Sequence, residues 1–143
     1  MKIAFTLTVL AAGLLLAAGN SQVDASKKIR ELHKERIATL KQVVDAATAE
    51  YEIGASTTTS EHVSQARLLL LNAELDACET DQERVKVHTS IVELLKENET
   101  GLDASVNAGN GSTKELLKAK AERLKAEIAL EEAKGKGVAR QAP

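Results

Sequence analysis

The sequence predicts an all-α protein, an elongated antiparallel helical hairpin or three-helix coiled-coil arrangement that follows an N-terminal signal peptide. The chain is rich in Ala, Leu, Glu and Lys, and its 143 residues include one Tyr, one Phe and no Trp. Its only proline is the last residue, Pro143. Apolar residues recur at alternating spacings of three and four, which is coiled-coil spacing. Few aromatics and no internal proline favour long helices packed side by side over a compact aromatic core.

The N-terminus has the pattern of an exported protein. Lys2 precedes an apolar run from Ile3 to Ala18, and Val23-Asp24-Ala25 offers small residues suited to a signal peptidase. We expect a signal peptide over residues 1–25, with cleavage after Ala18 as the alternative. The run is shorter than the roughly 20 apolar residues of a membrane-spanning helix, and a retained N-terminal anchor is the other interpretation.

The first helix is predicted over residues 26–53. Its apolar positions alternate by three and four and are Ile37, Leu40, Val44, Ala47 and Tyr51. Gly54 supplies the positive φ expected at a helix C-terminus. The hydroxyl-rich segment that follows Gly54 disfavours continued helix.

The second helix is predicted over residues 59–99, with Thr58 and Glu61 as a capping box. One seam contains Val63, Ala66, Leu70, Ala73, Ala77, Thr80, Arg84, Val87, Ile91 and Leu94. A second stripe contains Leu68, Leu71, Leu75, Val85, Val92 and Leu95. Two stripes require more than one neighbouring helix. The polar segment 79–84 is interpreted as solvated, with a bend or a partner site as alternatives.

A glycine- and asparagine-rich loop is predicted over residues 99–112, and a third helix over residues 113–134. Ser112 and Glu115 repeat the capping-box pattern. The residues expected to face inward are Leu117, Ala121, Leu124 and Ile128. Gly135 and Gly137 are expected to end the helix and to begin a disordered tail over residues 135–143. The helical hairpin domain is therefore predicted over residues 26–134.

Part of the sequence pattern occurs twice. Ser60-x-x-Val63-x-x-Ala66-Arg67 returns 53 positions later as Thr113-x-x-Leu116-x-x-Ala119-Lys120. Such a repeat indicates one helix-turn-helix unit used twice. The short turn before the second helix makes the first two helices antiparallel. The third helix either folds back along the second or leaves an open hairpin that completes its core by forming oligomers.

The residues that usually carry chemistry are scattered. The three histidines, His33, His62 and His88, have no ligand spacing among them, and Cys78 is the only cysteine. The formal net charge is −2, with acidic and basic residues interspersed, which gives no reason to expect a nucleic-acid partner. We therefore expect no catalytic residues, cofactor, metal or small-molecule substrate, and a function other than that of an enzyme.

Residues 47–78 resemble the periplasmic helical hairpins of the TolC-type outer membrane efflux proteins. In that family a helix ends in Tyr-x-x-Gly, a short polar turn follows, and the next helix begins near Asp-Val-Leu-x-Ala. Here Tyr51-Glu52-Ile53-Gly54 is similar to the first motif, and residues 61–66 stand where the second begins. The strands of the family's membrane barrel have no counterpart in this chain.

The resemblance implies an exported coiled-coil protein of the cell envelope, periplasmic or secreted, with a possible role in efflux. In the family the turn lies at the periplasmic tip, where the coiled-coil hairpin of an adaptor protein docks. Tyr51, Gly54, Ala55 and Ser56 would then be the partner-binding residues, and membrane association would be indirect. The alternative is a structural coiled coil that assembles with copies of itself and has no transport role.

Overall fold

The computed structural model describes residues 14–139, with side chains described for residues 23–136. All four elements in this part of the chain are α-helices: α1 Leu14–Glu52, α2 Ser60–Ala77, α3 Asp81–Asn107 and α4 Thr113–Ala139. The predicted all-α helical hairpin fold is confirmed.

The chain divides into two compact units, Met1–Leu32 and His33–Pro143. The described part of the first unit is the N-terminal portion of α1, where Val23, Ile29 and Leu32 are exposed. The helix includes residues 14–25 of the predicted signal peptide, and residues 1–13 lie outside the described residues. The signal peptide and its cleavage site stay predictions.

In the second unit, α1 and α2 form an antiparallel pair. The Arg36 guanidinium lies 2.7 Å from the Asp76 carboxylate near one end. Near the other end, the Thr58 hydroxyl donates to Glu50 Oε2 over 2.6 Å. Residue numbers therefore rise along one helix as they fall along the other. The predicted α1 seam faces inward, since Ile37, Leu40, Val44 and Ala47 are all half-buried.

The predicted second helix is in fact two helices, and this is a correction. Cys78 (ψ 125°) and Thr80 (φ −117°, ψ 153°) are extended, so the helical hydrogen bonds stop after α2. Thr80 then begins α3 as its N-cap. Its hydroxyl accepts from the Glu83 N–H over 3.2 Å, and Glu83 Oε2 accepts from the Thr80 N–H over 3.0 Å. This reciprocal capping box offsets the lost backbone bonds.

Both predicted apolar stripes of α2 and α3 contribute to the core. The buried residues are Val63, Ala66 and Ala73 of α2 and Ile91, Val92, Leu94 and Leu95 of α3, with Ala119 and Leu130 of α4. The α2 helix contacts α3, and α3 contacts α4. The third helix of the prediction therefore packs along the C-terminal part of the second.

The α3 and α4 helices are antiparallel, because Arg123 binds Glu99 while Lys96 lies 3.3 Å from Glu127. The predicted loop over residues 99–112 is mostly helical, since α3 continues to Asn107. The α4 helix also passes through Gly135 and Gly137 to Ala139, so residues 135–139 of the predicted disordered tail are helical. Residues 140–143 lie outside the described residues.

The face of α4 that packs inward differs from the prediction. Leu117, Ala121, Leu124 and Ile128 are exposed, and the exposed fractions of the three larger residues are 60%, 45% and 62%. We call this row the outer α4 seam. The inner α4 face consists of Leu116, Ala119, Arg123, Ala126, Leu130 and Ala133. Both rows have coiled-coil spacing, and Arg123 lies in the inner one because acidic partners neutralise it.

The two turns of the repeat end their first helix in the same way. Gly109 has φ 76°, and its N–H donates to Val106 O over 2.9 Å. The N–H of Asn110 donates to Ser105 O over 3.0 Å. This is the Schellman motif, in which a left-handed residue satisfies the last helical carbonyls. Gly109 is thus the structural counterpart of Gly54, whereas the offset of 53 pairs Gly54 with Asn107.

Candidate partner-binding tip

The turn after α1 is held by its own backbone. Gly54 has φ 72°, a conformation that residues with a Cβ rarely adopt. Its N–H donates to Tyr51 O over 3.0 Å, and the Ala55 N–H donates to Glu50 O over 3.0 Å. These two bonds form a Schellman motif. We call residues 51–56 the tip, which contains all four residues predicted to bind a partner.

The chain between the tip and α2 is ordered by side-chain hydrogen bonds. Thr59 is the N-cap of α2, and its hydroxyl accepts from the His62 N–H over 3.4 Å. His62 Nδ1 accepts in return from the Thr59 N–H over 3.1 Å. The predicted capping box of Thr58 and Glu61 is therefore wrong by one residue. Thr58 instead donates to Glu50 of α1, which ties the two ends of the turn together.

The tip presents apolar surface to solvent. Tyr51 is 48% exposed and Ile53 is 82% exposed. Gly54 and Ser56 are also exposed, whereas Ala55 is half-buried. Ile53 is not among the residues that the sequence predicts to bind a partner. Its position between the last turn of a helix and the capping glycine was the available signal, because a residue there projects beyond the neighbouring helix.

The chemistry of the tip is that of a contact surface. One aromatic ring and one aliphatic side chain stand on a backbone that two hydrogen bonds hold in place. A rigid aromatic residue beside small residues is typical of the anchors in protein interfaces. The tip can therefore bury Tyr51 and Ile53 against a partner with little loss of backbone entropy.

A polar network connects α3 and α4 away from the tip. Arg123 Nε donates to Glu99, and Arg123 Nη1 donates to Glu127 Oε2 over 2.8 Å. The hydrogen bond with Glu99, followed by that with Glu127, raises the pKa of the Arg123 guanidinium. Burial opposes ionisation of Glu127, but hydrogen bonds from Arg123 and Lys96 outweigh it and lower the pKa of this carboxyl. The network fixes the register of the two helices.

A shallow depression of about 400 Å³ lies where α1 passes the break between α2 and α3. Ile37, Ala77, Cys78 and Val87 supply much of its apolar lining. The Cys78 thiol donates to Glu74 O over 3.2 Å. Burial, together with the negative charge of Glu83, raises the pKa of the Cys78 thiol. A raised pKa lowers the thiolate fraction, so Cys78 has the environment of a packing residue rather than of a reactive one.

Among the described helices, none combines the length and the hydropathy of a membrane span. The described residues also contain no group of three His, Cys, Asp or Glu side chains placed to share a metal ion.

No protein-family model, curated protein or solved structure matches this sequence. The resemblance to the TolC-type hairpins therefore stays a prediction made from residues 47–78. The tip geometry and the exposed surfaces are the grounds on which a function can be argued.

Proposed function

We propose that this chain is an exported, non-enzymatic coiled-coil protein of the cell envelope that acts by binding the coiled-coil hairpin of a periplasmic adaptor protein. The contact is made by the tip, with Tyr51 and Ile53 as anchors and Gly54, Ala55 and Ser56 as the close-approach surface. An efflux-associated module would work in this way, since it would supply a docking end and no catalysis.

The observation that carries the proposal is the exposure of two large apolar side chains on a rigid turn. Ile53 is the most exposed of the large apolar side chains in the described residues, at 82%. Solvation of such a side chain costs free energy that burial against a partner would recover. The Schellman bonds of Gly54 and the Thr58–Glu50 hydrogen bond support the same proposal, because they order the turn before a partner arrives.

The test is a binding measurement with purified coiled-coil hairpins of periplasmic adaptor proteins from the same genome. The double variant Tyr51→Ala/Ile53→Ser removes both anchors and leaves Gly54 unchanged. We expect its affinity to fall by a factor of about ten or more, which corresponds to a loss of at least about 1.4 kcal/mol of binding free energy from the two anchors together. Helix content, measured by circular dichroism, should stay the same.

Val43→Ala is the matched control, since Val43 is 44% exposed on α1, two turns before Tyr51. It should bind as the unsubstituted protein does. Failure of every adaptor hairpin to bind, or equal binding by the double variant, would contradict the proposal.

The second candidate function is a structural coiled coil that assembles with copies of itself. One observation favours it specifically, namely the outer α4 seam, which is apolar, regularly spaced and exposed. A chain that assembles with copies of itself but binds no adaptor hairpin would support this function over a role that needs the tip.

A further inference from the structure

The outer α4 seam has the pattern of one strand of a coiled coil without its partner. Leu117, Ala121, Leu124 and Ile128 follow one another at spacings of four, three and four. All four residues belong to the second unit of the chain, and all four are exposed. The seam continues at the same spacing to Lys114 on its N-terminal side and to Glu131 on its C-terminal side, both exposed. An apolar seam thus ends in a cation at one end and an anion at the other.

We infer that the outer α4 seam binds the same seam of a second copy of this chain, with the two α4 helices antiparallel. In an antiparallel pair, the numbers of the two residues that face each other add up to the same value in every layer, and this value defines the register. With a value of 245, Leu117 lies opposite Ile128 of the second copy, and Ala121 lies opposite Leu124 of the second copy. The same register places Lys114 opposite Glu131 of the second copy, and the two-fold axis generates an identical pair at the other end. The inference does not depend on the proposed tip contact, and it gives the second candidate function a defined contact and register.

Charge decides the direction of the helices. A parallel, in-register pair would place Lys114 against Lys114 and Glu131 against Glu131 at the two ends of the seam. With Ala121 and Ile128 at heptad position a, Lys120 and Glu127 are at position g, and Lys125 and Glu132 are at position e. In a parallel pair, position g faces position e of the next heptad. Lys120 would therefore face Lys125, and Glu127 would face Glu132. Every one of these contacts is repulsive.

The antiparallel pair has mixed flanks and favourable ends. On one flank Lys120 faces Glu127 of the second copy. On the other flank Lys118 faces Lys125, and Lys118 already lies 3.2 Å from Glu115 of its own helix, which moderates the repulsion. Glu131 and Glu127 also have partners in their own chain, since Glu131 lies 2.8 Å from Lys134 and Glu127 lies 3.3 Å from Lys96. The attractive contacts, which are two Lys114–Glu131 pairs and two Lys120–Glu127 pairs, still outnumber the two Lys118–Lys125 contacts.

The seam is short, and this sets the strength of the association. From Lys114 to Glu131 it extends about 25 Å at 1.5 Å per residue. Such an interface is smaller than the ~800 Å² per partner of stable complexes. We expect a reversible dimer with a dissociation constant of about 1–100 µM, the range of weak specific interfaces.

The experiment is sedimentation velocity across that concentration range, on the full chain purified after export with the N-terminus that the cell leaves on it. Leu124→Lys places a charge in each of the two central layers, so this variant should be monomeric at every concentration in the range. Leu69→Lys is the matched control, because Leu69 is 55% exposed but lies on α2. It should associate as the unsubstituted chain does, and all three proteins should have equal helix content.

Charge reversal then tests the register. Lys114→Glu and Glu131→Lys should each weaken the dimer about tenfold, because each turns two attractive pairs into two repulsive ones. The double variant Lys114→Glu/Glu131→Lys should recover the original affinity. A monomer at every concentration, a Leu124→Lys variant that still dimerises, or a double variant without recovery would each overturn the inference. A seam covered by another segment of the same chain would give the first of these results.

Discussion

At the scale of single residues, glycines act in two opposite ways in this chain. A Cβ at Gly111 would lie 2.6 Å from Val106 N and 2.8 Å from the Ser105 carbonyl carbon, both backbone atoms that cannot move independently. A Cβ at Gly101, inside α3, would have no neighbour within 4 Å. Gly111 is required because the turn packs closely on the end of α3, whereas Gly101 only lowers the stability of the α3 helix.

We therefore predict opposite signs for two identical substitutions. Gly111→Ala should lower the free energy of unfolding by about 1–3 kcal/mol, because the turn must move to relieve the overlap. Gly101→Ala should raise it by about 0.5–1 kcal/mol, because alanine loses less backbone entropy in a helix. Urea unfolding followed by circular dichroism measures both, and equal effects of the two substitutions would refute the packing argument.

At the scale of elements, the break between α2 and α3 depends on an ionised side chain. Hydrogen bonds from the Thr80 N–H, the Thr80 hydroxyl and the Glu79 N–H lower the pKa of Glu83 below its ordinary value of 4.5. A carboxyl with a lowered pKa in the folded protein stabilises that protein most above the unfolded pKa. This contribution is lost as the pH falls through the lower, folded value.

The prediction concerns Glu83→Gln, which keeps the shape of the cap and removes the charge. At pH 7 the variant should unfold at a lower urea concentration than the unsubstituted protein. The difference should shrink once the pH falls below about 4.5 and vanish when Glu83 is protonated in both states. All other carboxylates are common to the two proteins, so the difference reports Glu83 alone. A difference independent of pH would show that the charge has no part in the cap.

The same cap shows how far an element could be predicted from sequence. The two apolar stripes of the predicted second helix are correct at Val63, Ala66, Ile91 and Leu95, because burial follows the three-four spacing. The break adjoins the polar segment 79–84, for which a bend was only the alternative to a solvated helix face. Thr80-x-x-Glu83 is a capping-box pattern, the signal used at Ser112, and it was not used here. A stripe that continues in register across a break cannot reveal it, since periodicity reports which face is buried and not whether the backbone is continuous.

At the scale of the whole molecule, the fold class and the antiparallel order of the first two predicted helices follow from sequence. The packing of the third predicted helix was left open, and its predicted buried face was wrong. Two rows on α4 have coiled-coil spacing, and hydrophobicity alone favours the wrong one. The inner face contains Arg123, which pairs with Glu99 of α3 and Glu127. Glu99 comes within reach of Arg123 only after α3 and α4 pack, whereas Glu127 lies one turn away on α4 itself. The turn after α1 was predicted better, since Gly54 ends α1 with a positive φ. Its capping box begins one residue later than predicted, the exposure of Ile53 was not predicted, and partner binding by the tip stays a prediction.

The two faces of α4 lead to a last prediction about the packing of the whole second unit. Leu130 is 8% exposed on the inner face, and Leu117 is 60% exposed on the outer seam. Leu130→Ala should lower the free energy of unfolding by about 2–4 kcal/mol, because it opens a cavity between α3 and α4. Leu117→Ala should change it by less than about 0.5 kcal/mol at concentrations where the chain is monomeric. If the two costs were reversed, α4 would pack through its outer seam, and the surface inferred to bind a second copy would belong to the core.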